Sequence, residues 1–194
     1  MLINFIGAPG SGKSTIAANT FAKLKSMSIP ADFISERARE VIAKYKFKKM
    51  PLGSDEMQIE ILEAQYRAET YFKNSTDYPV IADSSTLLTL AYGTETFFKL
   101  YSDRINTLVD SIIPEMDMVF YIPLRNEVQE DPNRIHNYDQ CLEVDRKIKE
   151  IINNYLVTSK HIKLVILSGG IEEMTRTVLR TIIEEVGDGQ QTDK

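Results

Sequence analysis

Met1-Leu2-Ile3-Asn4-Phe5-Ile6-Gly7-Ala8-Pro9-Gly10-Ser11-Gly12-Lys13-Ser14-Thr15 decides the fold. Leu2 to Ile6 is an apolar run of the length of a buried strand. It runs into Gly7-Ala8-Pro9-Gly10-Ser11-Gly12-Lys13-Ser14, which satisfies G-x-x-x-x-G-K-[ST] at every fixed position. A helical pattern follows at once. The order strand, glycine loop, helix is the context that makes the motif a phosphate site. A triphosphate needs several converging donors, so the backbone must turn its N–H groups inward, and glycines at 7, 10 and 12 permit that close approach. The helix starting at Lys13 points its unpaired N–H groups and positive dipole end at the phosphates. Lys13 is expected on the β and γ phosphates, the Ser14 hydroxyl on Mg²⁺, and Thr15 on a further phosphate oxygen.

Outward from the loop, short apolar runs alternate with helical patterns. Helix one is expected over about 13–26, with Ile16, Ala17, Thr20, Phe21 and Leu24 inward. Strand two covers about 31–34. A helix follows from Ser35, a candidate N-cap, to about Tyr45. Ser54 is expected to cap a long helix reaching Lys73, with Met57, Ile61, Ala64, Ala68 and Phe72 on its inner face. Strand three covers 78–83, and a helix over 95–113 carries Phe98, Tyr101, Ile105, Leu108 and Ile112. Strand four covers 116–122, a helix 140–156 and strand five 163–167. After Gly169-Gly170 the last helix turns Met174, Val178, Ile182 and Val186 inward. Five strands alternating with helices predict an α/β chain: a five-stranded parallel sheet covered on both faces, with ligands beyond the carboxyl ends of the strands. The P-loop, Glu36 and Asp83 all lie at such ends, so one crevice would gather them.

Asp83 ends an apolar strand, as the second acidic motif of P-loop proteins does. It would hold Mg²⁺ or accept a proton, or merely cap the next helix. Glu36 would orient or deprotonate an acceptor hydroxyl, or merely favour a helix N-terminus. Arg37 and Arg39 would bind an acceptor phosphate or face water. Arg125 and Arg134 bracket a polar segment, about 123–138, that is expected to close as a lid over the transferring phosphoryl group, the alternative being an ordinary charged loop. Arg146 and Lys147 are weaker candidates. Lys44, Lys46, Lys48 and Lys49 interleave with Tyr45 and Phe47, a pattern for tracking phosphates and stacking bases, or simply a solvated helix end. His136, His161 and Cys141 form no metal-ligand constellation by spacing and read as structural.

The 194 residues suffice for one α/β domain with a sizeable core, and the apolar fraction of 43% is ordinary. A net charge of −5 gives no global field toward nucleic acid or membranes. One cysteine rules out an internal disulfide framework and fits a reducing cytosol. No apolar stretch approaches a membrane span, and the N-terminal strand leaves no room for a signal peptide. The expected location is the cytoplasm, that of the host if the chain is viral. The expected organisation is one domain over 1–186 with a flexible tail over 187–194.

These motifs resemble those of P-loop nucleoside and nucleotide kinases. The likeness rests on Gly7 to Thr15, on Ser35-Glu36-Arg37-Ala38-Arg39, on Val80-Ile81-Ala82-Asp83-Ser84 and on the lid arginines. The layout is similar to thymidylate kinases, to bacterial ribosylnicotinamide kinases, and to bacteriophage kinases that phosphorylate 5-hydroxymethyluracil within DNA. The resemblance implies a P-loop three-layer sandwich with strand order 2-3-1-4-5 and a lid. It implies transfer of the γ-phosphoryl group of ATP, with Mg²⁺, to a nucleoside, a nucleotide or a 5-hydroxymethyl pyrimidine in DNA. No Asp-Arg-Tyr signature of the thymidylate kinases follows strand three, so the acceptor stays open. A homodimer is compatible with the chain. The rival class is a nucleotide-hydrolysing switch or motor, which would usually show paired acidic residues where this chain has Asp83-Ser84. Intact Lys13, Ser14 and Asp83 argue against a binding module without turnover.

Overall fold

The computed structural model describes residues 1–125 and 137–189. The central strand β1 (Leu2–Ile6) is buried along its whole length. The pleat sends Leu2, Asn4 and Ile6 to one face of the sheet and Ile3 and Phe5 to the other. Around it stand β2 (Asp32–Ile34), β3 (Val80–Ala82), β4 (Met118–Tyr121) and β5 (Lys163–Ile166). All pairings are parallel and the order is β2-β3-β1-β4-β5, as the resemblance implied. Asn4 sits opposite Ala82 and Phe5 opposite Phe120, so the P-loop leaves β1 beside the end of β3.

Each face carries its own core. On the Ile3 and Phe5 face, α1 (Lys13–Ser26) brings Ile16, Ala17 and Leu24 against Met174, Val178 and Ile182 of α7 (Ile171–Gly189). The opposite face is covered by α3 (Asp55–Ser75), α4 (Thr86–Leu90), α5 (Glu95–Ile112) and α6 (Tyr138–Ile151). This makes a three-layer α/β sandwich around the parallel sheet. The remaining helix, α2 (Ala38–Phe47), packs Val41 and Tyr45 on Met57 and Ile61 of α3 in a small separate cluster.

Several local expectations need correction. Ser35 does not cap α2: the helix begins at Ala38, and no side chain caps it at the Arg37 position. The Arg37 N–H instead donates to Gln65 Oε1 on α3, a long-range partner that local pattern does not reveal. The basic stretch overlaps the end of this helix as expected, with Lys44 and Lys46 inside it and Lys48 and Lys49 just past Phe47. Its Tyr45 is buried against α3 and its hydroxyl contacts Glu60, so it is no base-stacking platform. On α5, Phe97 fills the core and Phe98 faces outward, because the helix kinks at Tyr101 and shifts its inner face. Asn137 and Gln140 form a reciprocal capping box that starts α6 earlier than expected, and a π-turn over Ile152–Leu156 ends it. Ser54 does cap α3, accepting from Met57 N at 3.2 Å. Helix α7 runs from Ile171 to Gly189. The tail beyond it, and most of the expected lid, lie outside the described residues.

Phe5 and Phe120 stack at the centre of the sheet with ring centroids 5.3 Å apart, both fully buried. Phe5→Ala leaves a cavity beneath the P-loop strand and is expected to cost about 3–5 kcal/mol. Urea unfolding followed by circular dichroism measures it.

Candidate functional site

The P-loop closes on itself by Ser11 N donating to Ala8 O at 3.1 Å. Gly7 lies in a gap that no Cβ fits: an added Cβ would stand 2.5 Å from Ser11 Oγ and 2.8 Å from Ile122 O. Gly12, at φ +93°, turns the chain into α1, and Ile171 packs close beside it. No side chain caps α1, so its first N–H groups are left for an external anion. Ser11 Oγ is buried without a partner among the described residues. A glycine cradle, an uncapped helix and an orphaned hydroxyl fit a bound polyphosphate. Ala8 is buried, Pro9 and Ser14 are half-buried, and Gly10 and Thr15 lie at the surface.

Lys13 turns back from α1 to β3. Its Nζ lies 3.1 Å from both the carboxylate Oδ1 and the backbone oxygen of Asp83. Both residues are buried. Asp83 is not the cap of α4, because Ser85 accepts from Leu87 N at 3.1 Å in that role. The two residues expected to handle phosphate and metal are therefore joined directly. Ser14 follows Lys13 in the first turn of α1, where a hydroxyl and the Asp83 carboxylate are a fitting oxygen donor set for Mg²⁺.

A cavity of about 920 Å³ opens from the P-loop, lined by Pro9, Glu36, Arg39, Gln65, Ser84 and Tyr92 among others. That volume lies at the upper end for small-molecule sites. Glu36 sits in the β2–α2 loop, half-buried, 3.3 Å from Arg39 Nε. Lys46 of the basic stretch also lines the cavity, while Lys44 pairs with Glu60. Arg37 pairs with Glu40 at 2.6 Å.

A family profile described as an AAA domain matches residues 2–174. The chain belongs to this AAA domain family. No curated protein matches it by sequence. Among solved structures, a deoxyadenosine kinase from M. mycoides with bound dCTP superposes with a TM-score of 0.63 at 19% identity, covering 97% of this chain and 100% of that one. A NadR protein in complex with NAD and AMP-PNP gives a TM-score of 0.73 at 16% identity over 96% of this chain. A NadR protein in complex with NR gives 0.69 at 19% identity over 87% of it. The AAA domain described here spans 49% and 45% of those two NadR chains, about half their length. At such identities the likeness establishes the fold.

Other expected residues lie elsewhere in this AAA domain. Arg125 does not line the large cavity; its guanidinium donates to Gly169 O at 2.5 Å, at the β5–α7 turn. Arg134 and His136 are outside the described residues. Arg146 sits in an exposed ladder between Glu143 and Glu150. Lys147 reaches Gly93 O at 3.4 Å beside a shallower depression shared with Tyr92 and Asn137. His161 bonds Ile113 O at 3.0 Å and Cys141 is buried.

Pattern reading missed three groups. Tyr92 lines the cavity, and burial followed by the Glu36 charge pushes its hydroxyl well above the usual tyrosine range, so it stays a donor. Asp145 of α6 accepts from Tyr121 Oη at 2.8 Å and from Leu124 N at 3.2 Å, fixing the chain where it leaves β4. Glu69 of α3 is fully buried, with Asn4, Gln65 and Thr86 donating to it. Its only sequence signal was the i, i+4 step from Gln65 inside an apolar helix face.

Burial pushes the Glu69 carboxyl up to about 7, against hydrogen bonds that pull it down. The folded protein thus holds a proton there that the unfolded chain releases near pH 4.5, its ordinary value. Stability should fall as pH rises from about 4.5 to 7 and level off above, by roughly 3 kcal/mol for this group alone. Urea midpoints across pH 5–8 check the sign, and Glu69→Gln should flatten the slope. Gly7→Ala should weaken binding of ADP by at least about tenfold, since the loop must shift to admit the Cβ; isothermal calorimetry reads it.

Proposed function

We propose that the chain is an ATP- and Mg²⁺-dependent kinase that transfers the γ-phosphoryl group to a nucleoside-like acceptor seated in the large cavity. The supporting observation is that cavity, which joins Pro9 of the phosphate loop to Glu36 and to α3 in one space. A phosphate loop alone serves many enzymes. A nucleoside-sized space beside it, with a carboxylate in its wall, serves group transfer better than hydrolysis. The bound ligands named for the superposing structures, dCTP, NAD, AMP-PNP and NR, agree in chemical class.

In this reading Lys13 and the free backbone N–H groups of the phosphate loop hold the β and γ phosphates. Ser14 and Asp83 hold Mg²⁺, which supplies charge neutralisation of the phosphates when bound. Glu36 accepts the proton of the acceptor hydroxyl as its oxygen bonds to the γ phosphorus and the bond to the β-phosphate oxygen breaks, releasing ADP. Arg39, now on Glu36, is free to swing to an acceptor phosphate. Arg125 and Arg134 are proposed to serve the transferring phosphoryl group from the lid segment. The setting is a cytoplasm.

The AAA description favours a second reading, a nucleotide-hydrolysing switch or motor. The distinction is direct. A kinase releases ADP in step with acceptor, whereas a switch or motor releases it without one. The assay uses [γ-³²P]ATP with deoxyadenosine, deoxycytidine, thymidine, nicotinamide riboside and a 5-hydroxymethyluracil-containing DNA strand. Labelled acceptor is expected from at least one nucleoside. Labelled phosphate alone, at the same rate with and without acceptors, would make the chain a hydrolase. The DNA arm has its own support in Lys46 at the cavity and in Phe47, 87% exposed beside it in sequence; DNA labelling that falls steeply with salt would select it.

Lys13→Ala should lower turnover at least about a hundredfold, and it should also lower the melting temperature, because it strands the buried Asp83 carboxylate. Glu36→Gln should lower kcat by roughly 10²–10⁴ while leaving the KM for ATP alone. Steady-state kinetics separates the two.

A further inference from the structure

Between α3 and the β3–α4 turn lies a buried polar cluster that the reaction above does not use. Glu69 is 0% exposed. Its Oε1 accepts from Asn4 Nδ2 at 2.9 Å, Gln65 Nε2 at 3.0 Å and Thr86 N at 3.1 Å. Its Oε2 accepts from Thr86 Oγ1 at 2.6 Å. Burying a carboxyl here is costly, and apolar side chains replacing the whole cluster would fill the same space without that cost. The cluster therefore calls for a use other than stability.

Every donor belongs to the wall of the cavity or to its support. Gln65 lines the cavity, and its Oε1 receives the Arg37 N–H at 3.3 Å, one residue after Glu36. Thr86 follows Asp83 and Ser84, and Ser84 lines the same cavity. Asn4 Nδ2 also holds Ser84 O at 3.3 Å. Gln65 donates its nitrogen to Glu69 Oε1 and accepts the Arg37 N–H on its oxygen, so these two partners together fix the direction of the amide at the cavity wall. Neither leucine nor alanine at 69 would dictate that direction.

We propose that Glu69 is a positioning residue for the acceptor: it fixes the direction of the Gln65 amide and the place of the Ser84–Thr86 turn, and so sets the hydrogen-bonding wall that the acceptor meets. The proposal rests on the kinase reading for what the cavity holds. Its consequence is selective. Acceptor binding depends on Glu69, and nucleotide binding at the P-loop does not.

Glu69→Gln is the test, because the glutamine keeps the shape and its amide group can donate to Asn4 Oδ1, which has no partner among the described residues. The acceptor is whichever nucleoside of the panel above the wild type phosphorylates. The KM for that acceptor should rise at least about tenfold, with the KM for ATP within about twofold. In a Gln65→Ala background the same change should add nothing further, since the amide it directs is gone. Equal movement of both KM values, or full additivity with Gln65→Ala, would reduce Glu69 to a structural residue and overturn the proposal. A second measurement needs no variant: the Gln65 side-chain NH₂ protons of the wild type, read by ¹⁵N-edited NMR, should exchange slowly with solvent. Exchange at the rate of a free glutamine would overturn the proposal even if Glu69→Gln failed to fold. If no acceptor of the panel, nucleoside or DNA, is phosphorylated, the kinase reading fails while the NMR result still decides whether Glu69 holds Gln65.

Discussion

The Lys13–Asp83 ion pair ties the phosphate loop to the sheet. Its 3.1 Å contact links the first turn of α1 to the end of β3, across the strand that carries the loop. A buried pair gains little over an apolar isostere, but stranding one partner costs about 3–5 kcal/mol. Without ligand each charge therefore keeps the other. A polyphosphate offers Lys13 a new anion and a divalent cation offers Asp83 a new partner, so both must arrive for the exchange to leave no charge uncovered. In the proposed reading, this constraint would couple the binding of nucleotide to that of metal.

The same strand order organises what lies beyond the pair. Because β1 runs between β3 and β4, its three carboxyl-end neighbours are the P-loop, the Asp83 turn and the chain leaving β4 at Tyr121. Each is pinned by a polar contact from a helix: Lys13 on Asp83, Glu69 on Thr86, and Asp145 on Tyr121 and Leu124. The apolar cores hold the layers together, and the polar contacts set the exit angles. Arg125 on Gly169 extends the same logic to the β5–α7 turn.

The phosphate loop was legible in the sequence because its demands are local: glycines where a Cβ collides, a lysine and a hydroxyl next in line. Strand and helix succession was legible from apolar periodicity, and the sheet order followed from family resemblance rather than from the residues. The failures share a cause. Ser35 looked like a cap, but α2 takes its first acceptor from Gln65, 28 residues away. Gln65 and Glu69 drew no reading, because polar residues on a helix are usually exposed, and only the meeting of α3 with β1 and α4 buries them. Phe98 took the place of Phe97 because a kink at Tyr101 breaks the 3.6-residue count. Tyr45 looked available for stacking because its buried neighbours come from another helix.

The central claim, that nucleotide and metal together replace the Lys13–Asp83 pair, is tested most directly by ADP calorimetry on wild type and Asp83→Asn, with EDTA and with Mg²⁺. Removing the Asp83 charge frees Lys13 in advance. The variant should bind ADP in EDTA at least as tightly as the wild type, and should lose most of the gain that Mg²⁺ gives the wild type. Weaker binding in EDTA with the Mg²⁺ gain intact would contradict the account, since Asp83 would then support the phosphate site without competing for Lys13 or holding metal.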